Sequence, residues 1–253
     1  MKYNLQIKTL LLISLFSLNA WSNTQAEVPK KAPEVMNSED PYESFNRVMF
    51  DFNMGFNDTL GRPIADVYNG ILPQPARTGI SNVFGNLKTP LSALNCFLQG
   101  KPEEGLSEIM RFTINSTFGL FGLLDIAEPA GLEAKQEDFG QTLYQWGVWN
   151  ESNYLVLPIV GSYTTRELVG GLGDSAADPI YRTVLEDTDS SGRVLIYMGD
   201  KFISYTKVVK LLEDMKNQPD PYVFSRESYL QYRTNLIYDG NPPQNNLDDF
   251  DFE

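Results

Sequence analysis

Histidine is absent from the sequence and cysteine occurs once, at Cys96. Ser-His-Asp and Cys-His relays and imidazole metal sites are therefore excluded. A single thiol forms no internal disulfide and cannot alone make a thiolate zinc site. Catalysis would have to rest on carboxylates, lysines or tyrosines. The adjacent pairs Glu103-Glu104 and Glu137-Asp138 do not suit it, because neighbours on a helix diverge by about 100°. A carboxylate-dependent hydrolase is carried only as a third reading. Glu186 to Gly192 puts Asp187, Asp189 and Ser191 at positions 1, 3 and 5 of a calcium loop with Gly192 at 6, but position 12 is Met198 and not a bidentate Glu. A capped turn before a helix accounts for the same residues. Gly170-Gly171-Leu172-Gly173 has no strand before it and no Lys-Ser/Thr completion, so it reads as a hinge or turn and not a phosphate loop. No catalytic residue, metal or cofactor is expected. The remaining chemistry is that of amides and apolar side chains. Asn46, Asn53 and Asn57 recur at i, i+7 and i+11, beside a stripe of Phe45, Met49, Phe52, Phe56 and Leu60.

That pair of stripes lies on the helix predicted from Asp40 to Leu60. Asp40 supplies a capping carboxylate, Pro41 suits the first helical position, and Glu43 places negative charge in the first turn. Gly61-Arg62-Pro63 predicts a break, and Pro63 opens a short second helix. Pro73-Gln74-Pro75 predicts an extended link, with helical pattern resuming over 76–84. Leu87, Leu91, Leu94 and Leu98 share one helical face, ended by Gln99-Gly100. Pro102 restarts a helix whose apolar stripe is Leu106, Ile109, Met110, Thr113, Ile114, Thr117 and Phe118.

The stripe runs into Phe118, Gly119, Leu120, Phe121, Gly122, Leu123 and Leu124, apolar on every side. Seven residues cannot cross about 30 Å of hydrocarbon, so the run is either a buried turn or a piece dipped into one leaflet. Residues 139–161 interleave aromatics with Gly140, Gly147 and Pro158, which predicts an irregular or hairpin-like segment suited to a membrane interface or a packed loop. Asp178-Pro179 and Asp220-Pro221 repeat the first helix start. Leu195, Met198, Phe202, Tyr205, Val209 and Leu212 define a long helix between them, and Arg226, Tyr229, Arg233 and Leu236 share a face of the last one. The fold class is all-α with one irregular aromatic and glycine-rich segment.

The net charge is −13 and the pI about 4.5, which argues against nucleic acid as a partner and against attraction to anionic lipid through a basic patch. Residues 1–22 read as a secretory signal: Lys2 and Lys8 precede an apolar run from Leu10 to Leu18, and cleavage falls after Ser22 or after Ala26. Residues 23–39 read as a polar linker, 40–238 as the helical domain, and 239–253 as an acidic tail without a fold of its own. No cysteine stands at the end of the apolar run, so the usual lipid attachment point of bacterial lipoproteins is not found there.

Several motifs occur in one order. They are Asp40-Pro41-x-Glu43-x-Phe45-Asn46-Arg47-x-Met49, Arg62-Pro63, Pro73-Gln74-Pro75-Ala76-Arg77, Ser81-Asn82, Asn86-Leu87-x-x-Pro90 and Asn95-x-Phe97-Leu98-Gln99-Gly100. They continue with Arg111-Phe112-x-x-Asn115, Gly119-x-x-Gly122-x-x-Asp125, Phe139-Gly140-x-Thr142-Leu143, Gly147-Val148, Leu157-Pro158-x-x-Gly161-Ser162 and Asp220-Pro221-Tyr222. Together, over about 40–233, they resemble the MlaA (VacJ) family of bacterial outer-membrane proteins that maintain lipid asymmetry. The resemblance implies a ring of amphipathic helices around a central channel, lying in the outer membrane at its periplasmic face beside a trimeric porin. It implies non-enzymatic transfer of mislocalised phospholipid from the outer leaflet to a periplasmic lipid carrier. On that reading Asn46, Asn53 and Asn57 line the channel and Gly119, Gly122, Gly140 and Gly147 let a gate move. Phe118, Leu120, Phe121, Leu123 and Leu124 face the membrane. The alternative is a structural or docking protein associated with porins.

Overall fold

The computed structural model describes residues 40–180 and 188–243. The expected signal, the linker, Asp187 and most of the acidic tail lie outside the described residues. Asp40 accepts a hydrogen bond from the Tyr42 backbone N–H at 2.9 Å, so it caps a turn, and the first helix, α1 (Glu43–Phe56), begins just beyond it. The break expected at Gly61-Arg62-Pro63 is instead a π-helical turn, Asn57–Gly61, that leads directly into α2 (Arg62–Ile71). Pro63 has no N–H to give to the preceding turn. The Arg62 N–H reaches back to the Asn57 carbonyl, and this widened turn absorbs the proline without changing the chain's helical sense.

Of the link expected to be extended over Pro73-Gln74-Pro75 only Pro73 is, with ψ 152°; Gln74 and Pro75 already form the first turn of a helix, where a proline needs no N–H partner. The two helical stretches expected on either side of residue 85 are one helix, α3 (Gln74–Leu98), which carries Pro90 inside it. Gly100, at φ 77°, turns the chain into α4 (Pro102–Thr117), and α3 and α4 pack along each other as a helical hairpin. The irregular stretch resolves into α5 (Phe139–Gln145) and a hairpin, β1 (Tyr154–Leu157) with β2 (Gly161–Thr164). The strands are antiparallel, with Tyr154 opposite Thr164 and Leu157 opposite Gly161.

Thr164 then starts α6 (Thr165–Ala177) through a reciprocal capping box with Glu167. Gly170 to Gly173, read as a hinge or turn, lies inside this helix. A Cβ at Gly170 would come within 2.4 Å of the Gly140 backbone nitrogen, and one at Gly173 within 2.6 Å of the Phe139 ring. These glycines exist for close approach of α5 and α6, not for bending. Asp189 caps α7 (Ser190–Met215) by accepting from the Gly192 N–H at 2.9 Å, so a cap explains the described part of the calcium-like loop. Asp220 caps α8 (Pro221–Ile237) in the same way through Val223.

The apolar core is small. Phe50, Tyr154, Val156, Met215 and Tyr222 form it, with Met49, Met54, Leu212 and Tyr229 packed against them. Phe50 and Tyr154 both meet the Tyr222 ring edge-on, at 5.8 and 6.2 Å between centroids. The fold is thus mostly helical, with the hairpin pinned between α1 and the α7–α8 end.

Candidate lipid-facing surface and polar interior

Amphipathic helices of water-soluble domains turn their apolar stripe inward. Parts of several helices here do the opposite. On α4 the buried residues are Gly105, Glu108, Arg111 and Asn115, while Leu106, Ile109 and Met110 on the apolar stripe are 45–56% exposed. On α3 the buried set is small and polar, including Asn86, Thr89, Ser92, Ala93 and Asn95. On α1 Asn46 and Phe50 are buried, whereas Phe45 and Phe52 stand in the open, as does Leu60 in the π-helical turn after it. Among the most completely buried large side chains are Arg166, Gln141, Glu108 and Asn46. Burying charge and amide while exposing aliphatic surface is unfavourable in water on both counts, and it is the economical arrangement against hydrocarbon.

The run after α4 extends this exterior. Phe118, Leu120, Phe121, Leu123 and Leu124 are all exposed, Phe121 most of all at 86%. Of the two readings of this run, a buried turn is overturned for these side chains. Leu120 and Phe121 hold left-handed backbone, at φ 54° and 59°. The turn is closed from inside by the Gly122 N–H to the Asn115 carbonyl and the Leu124 N–H to the Gly119 carbonyl, both at 2.9 Å. Gly119 and Gly122 are tight: a Cβ would meet the Leu124 carbonyl oxygen at 2.2 Å and the Asn86 Cβ at 2.7 Å.

The interior is held by hydrogen-bonded charge. Arg111 pairs with Asp125 at 2.8 Å and donates to the Leu132 carbonyl. Asn115 donates to Asp125 and accepts from the Ile126 and Ala127 N–H groups at 2.8 and 3.0 Å. Glu108 accepts the Lys135 N–H at 2.8 Å, and burial pushes its carboxyl above the usual range. The polar face of α4 thereby fixes the path of the chain from 125 to 135.

A second network joins α5, α6 and α8. Arg233 is 3% exposed and grips both oxygens of Asp138, at 2.7 and 3.2 Å, while Asp138 caps α5. Burial raises the Asp138 carboxyl, but the Arg233 charge and hydrogen bonds outweigh it and the net direction is down. Tyr229 donates to Glu167. Asn95 on α3 ties in through Asp174 at 2.9 Å and Thr142 at 2.9 Å. The Arg166 guanidinium donates to the Trp149 and Asn150 carbonyls and lies 5.0 Å from the Tyr144 ring centre. Glu104, Glu137 and Asp239 bring carboxylate oxygens within 4.8 Å of one another. The Lys101 ammonium stands 3.2 Å from Glu137 and 2.7 Å from Asp239, where a bound cation would otherwise serve.

Asn46 and Asn53 on α1 and Asn57 in the π-helical turn after it form a joint. Asn46 Nδ2 donates to the Tyr154 carbonyl at 3.1 Å and Oδ1 accepts the Val156 N–H at 2.8 Å. Asn53 repeats the pattern on the Leu157 carbonyl and the Ile159 N–H, at 2.9 and 2.6 Å. Asn57 accepts from the Tyr205 hydroxyl at 2.6 Å. Two turns of helix advance about 10.5 Å and three residues of strand about 10 Å, so seven residues of α1 keep step with three of the hairpin. Asn46 and Asn57 are buried, and a channel wall made from them would first have to break these bonds. Gly140 is packed against α6, with Glu167 Cα 3.1 Å from a Cβ placed there, whereas Gly147, at φ 68°, ends α5 with open space around it.

Sequence reasoning missed Glu108, Gln141 and Arg166 as interior groups. The Glu108–Arg111 pair on the narrow face opposite an apolar stripe was the available signal, and so was Thr164-x-x-Glu167 as a capping box.

The fold is mostly helical, with Glu108, Glu137, Arg111, Arg166 and Arg233 buried and several aliphatic stripes exposed. Among the described residues no helix is long and apolar enough to cross a membrane. The chain belongs to the MlaA lipoprotein family, whose model matches residues 38–236. It is 32% identical over 222 residues to the intermembrane phospholipid transport system lipoprotein MlaA of Escherichia coli K12, covering 82% of each chain. The Haemophilus influenzae protein of the same name is 31% identical over 244 residues, with 93% of each chain covered. A solved structure described as the structural basis for maintenance of bacterial outer membrane lipid asymmetry matches with a TM-score of 0.68 at 33% identity, over 80% of this chain and all of that one.

Proposed function

We propose that this chain is a non-enzymatic component of intermembrane phospholipid transport in the outer membrane. It takes mislocalised phospholipid from the outer leaflet through a central channel in a ring of helices and passes it to a periplasmic lipid carrier, while held beside a trimeric porin. The observation that carries this reading is the inverted amphipathicity of α1, α3 and α4, with exposed Leu106, Ile109 and Met110 opposite buried Glu108 and Arg111. An apolar exterior suits residence among acyl chains, and a polar interior suits passage of a headgroup. The relatives' shared role in phospholipid transport supports the same direction.

Within this reading the tip from Phe118 to Leu124 enters the bilayer. Asn53, half-buried, is the member of the asparagine set that a lipid reaches most readily, and Gly147 is the most open of the gate glycines. Deleting the gene in its own bacterium should raise outer-leaflet phospholipid, measured by surface labelling of aminophospholipid, and the intact gene should restore it. Unchanged labelling on deletion would refute transport. The exposed apolar belt also suits a porin's outer wall, so a docking role is separated by reconstitution: transfer of labelled lipid from vesicles to a carrier without a porin present supports transport over docking. Release of fatty acid or headgroup by the purified chain would overturn the non-enzymatic part.

A further inference from the structure

Between α2, the first turns of α3 and the middle of α7 lies a pocket of about 270 Å³. Its lining includes the side chains of Asn69, Arg77, Thr78, Ser81, Thr206 and Lys207, and it contains two cations and no carboxylate. That composition stands out in a chain of 33 acidic and 20 basic residues, where surface cations such as Arg62, Lys88 and Lys216 each have a carboxylate partner. Arg77 and Lys207 form no ion pair among the described residues. Arg77 donates from Nη1 to the neutral Asn69 side chain, which leaves its charge uncompensated. Its Nε is buried without a hydrogen-bond partner among the described residues. A guanidinium without a carboxylate partner among the described residues, an ammonium, and two hydroxyls on successive turns of α3 are the groups that recognise a tetrahedral phosphate oxygen set.

We propose that this pocket binds a phosphate group, the class of anion carried by a phospholipid headgroup or by free phosphate. The volume is below the roughly 300–1,000 Å³ of pockets that enclose a drug-sized ligand, so it takes a headgroup and leaves acyl chains outside. The lip beside it is apolar: Ile64, Val67 and Ile71 on α2 are 54–74% exposed, a surface along which chains can lie. A headgroup source rests on the transport reading above, whereas the phosphate chemistry does not.

The test uses the full chain and three probes: dihexanoylphosphatidylglycerol below its micellar concentration, dihexanoylglycerol with the same chains and no phosphate, and inorganic phosphate. Titration calorimetry on the wild type should show the phospholipid binding at least tenfold more tightly than dihexanoylglycerol. Lys207→Gln and Arg77→Gln should each weaken phospholipid binding at least fivefold, and Arg77→Lys should restore part of it. Lys207 is exposed and forms no ion pair among the described residues, so its variant keeps the fold. Inorganic phosphate displacing the phospholipid at equal affinity assigns the site to free phosphate, and weak displacement assigns it to the headgroup. Equal binding of the two glycerolipids, or wild-type affinity in both Gln variants, overturns the proposal. If the gene deletion leaves outer-leaflet phospholipid unchanged while the Gln variants lose affinity, transport fails and the phosphate site stands.

Discussion

Replacing Phe121 by Asp tests the lipid-facing exterior at its most exposed point. The ring is 86% exposed, so little packing within the protein is lost. Its backbone is left-handed, with φ 59°, a conformation Asp tolerates better than Phe, so the turn itself is not weakened. In hydrocarbon the exchange removes a gain of about 0.3–0.6 kcal/mol and adds a cost of about 2.5–3.5 kcal/mol at full depth, less near the interface. A net loss of about 2–4 kcal/mol is a fall of roughly 30- to 700-fold in partition. The assay is flotation with uncharged phosphatidylcholine vesicles at high salt, which screens the contribution of the −13 net charge. Asn241→Asp adds the same charge at an exposed site outside the 118–124 turn and should float like wild type. Equal flotation of Phe121→Asp and Asn241→Asp would refute insertion of the tip.

Three further outcomes follow from the interior. Arg233→Met leaves Asp138 and Glu167 without their cation, at a cost of about 3 kcal/mol, or a melting midpoint lower by about 6–12 °C for a domain of this size. Because Arg233 holds the Asp138 pKa below its unfolded value, its stabilisation is present above about pH 4 and lost as pH falls through the folded pKa. In the variant, burial pushes Asp138 up instead, so the gap to wild type in urea-unfolding midpoints should narrow between pH 7 and pH 5; a constant gap would count against the pairing. Asn46→Ala strips the Tyr154 carbonyl and the Val156 N–H of their buried partners and should cost about 2–4 kcal/mol, read by chemical denaturation. The Cys96 thiol, pushed up to about 12 chiefly by burial and then by Glu137, should resist iodoacetamide at pH 8 in the folded chain and react in denaturant.

How much of this was legible beforehand varies with the kind of signal. The caps were, because Asp220-Pro221 and Gln99-Gly100 act through their immediate neighbours. The stripes on α1 and α4 were legible as stripes, but periodicity gives a direction around a helix and not which side faces the protein. A stripe of Leu106, Ile109 and Met110 reads identically in a soluble core and in a bilayer-facing wall. The Gly170–Gly173 run was misread as a local break because what requires Gly170 is another segment: Gly140 packs against Gly170 from 30 residues away in sequence. The asparagine face was noticed, yet its partners, Tyr154 and Val156, are more than 100 residues distant, and no local rule connects them.

The paired amides of Asn46 and Asn53 bear on how the protein avoids sticking to itself. A two-stranded hairpin has bare edges, and bare edges recruit other strands. At β1 the Asn46 carboxamide offers one acceptor and one donor in the spacing of a neighbouring peptide unit, so a single side chain stands in for a third strand. A chain whose aliphatic stripes already face outward is exposed to association before any apolar surface covers them. Covering the strand edge with a helix-borne amide removes one of the two routes to self-association while leaving the apolar exterior free.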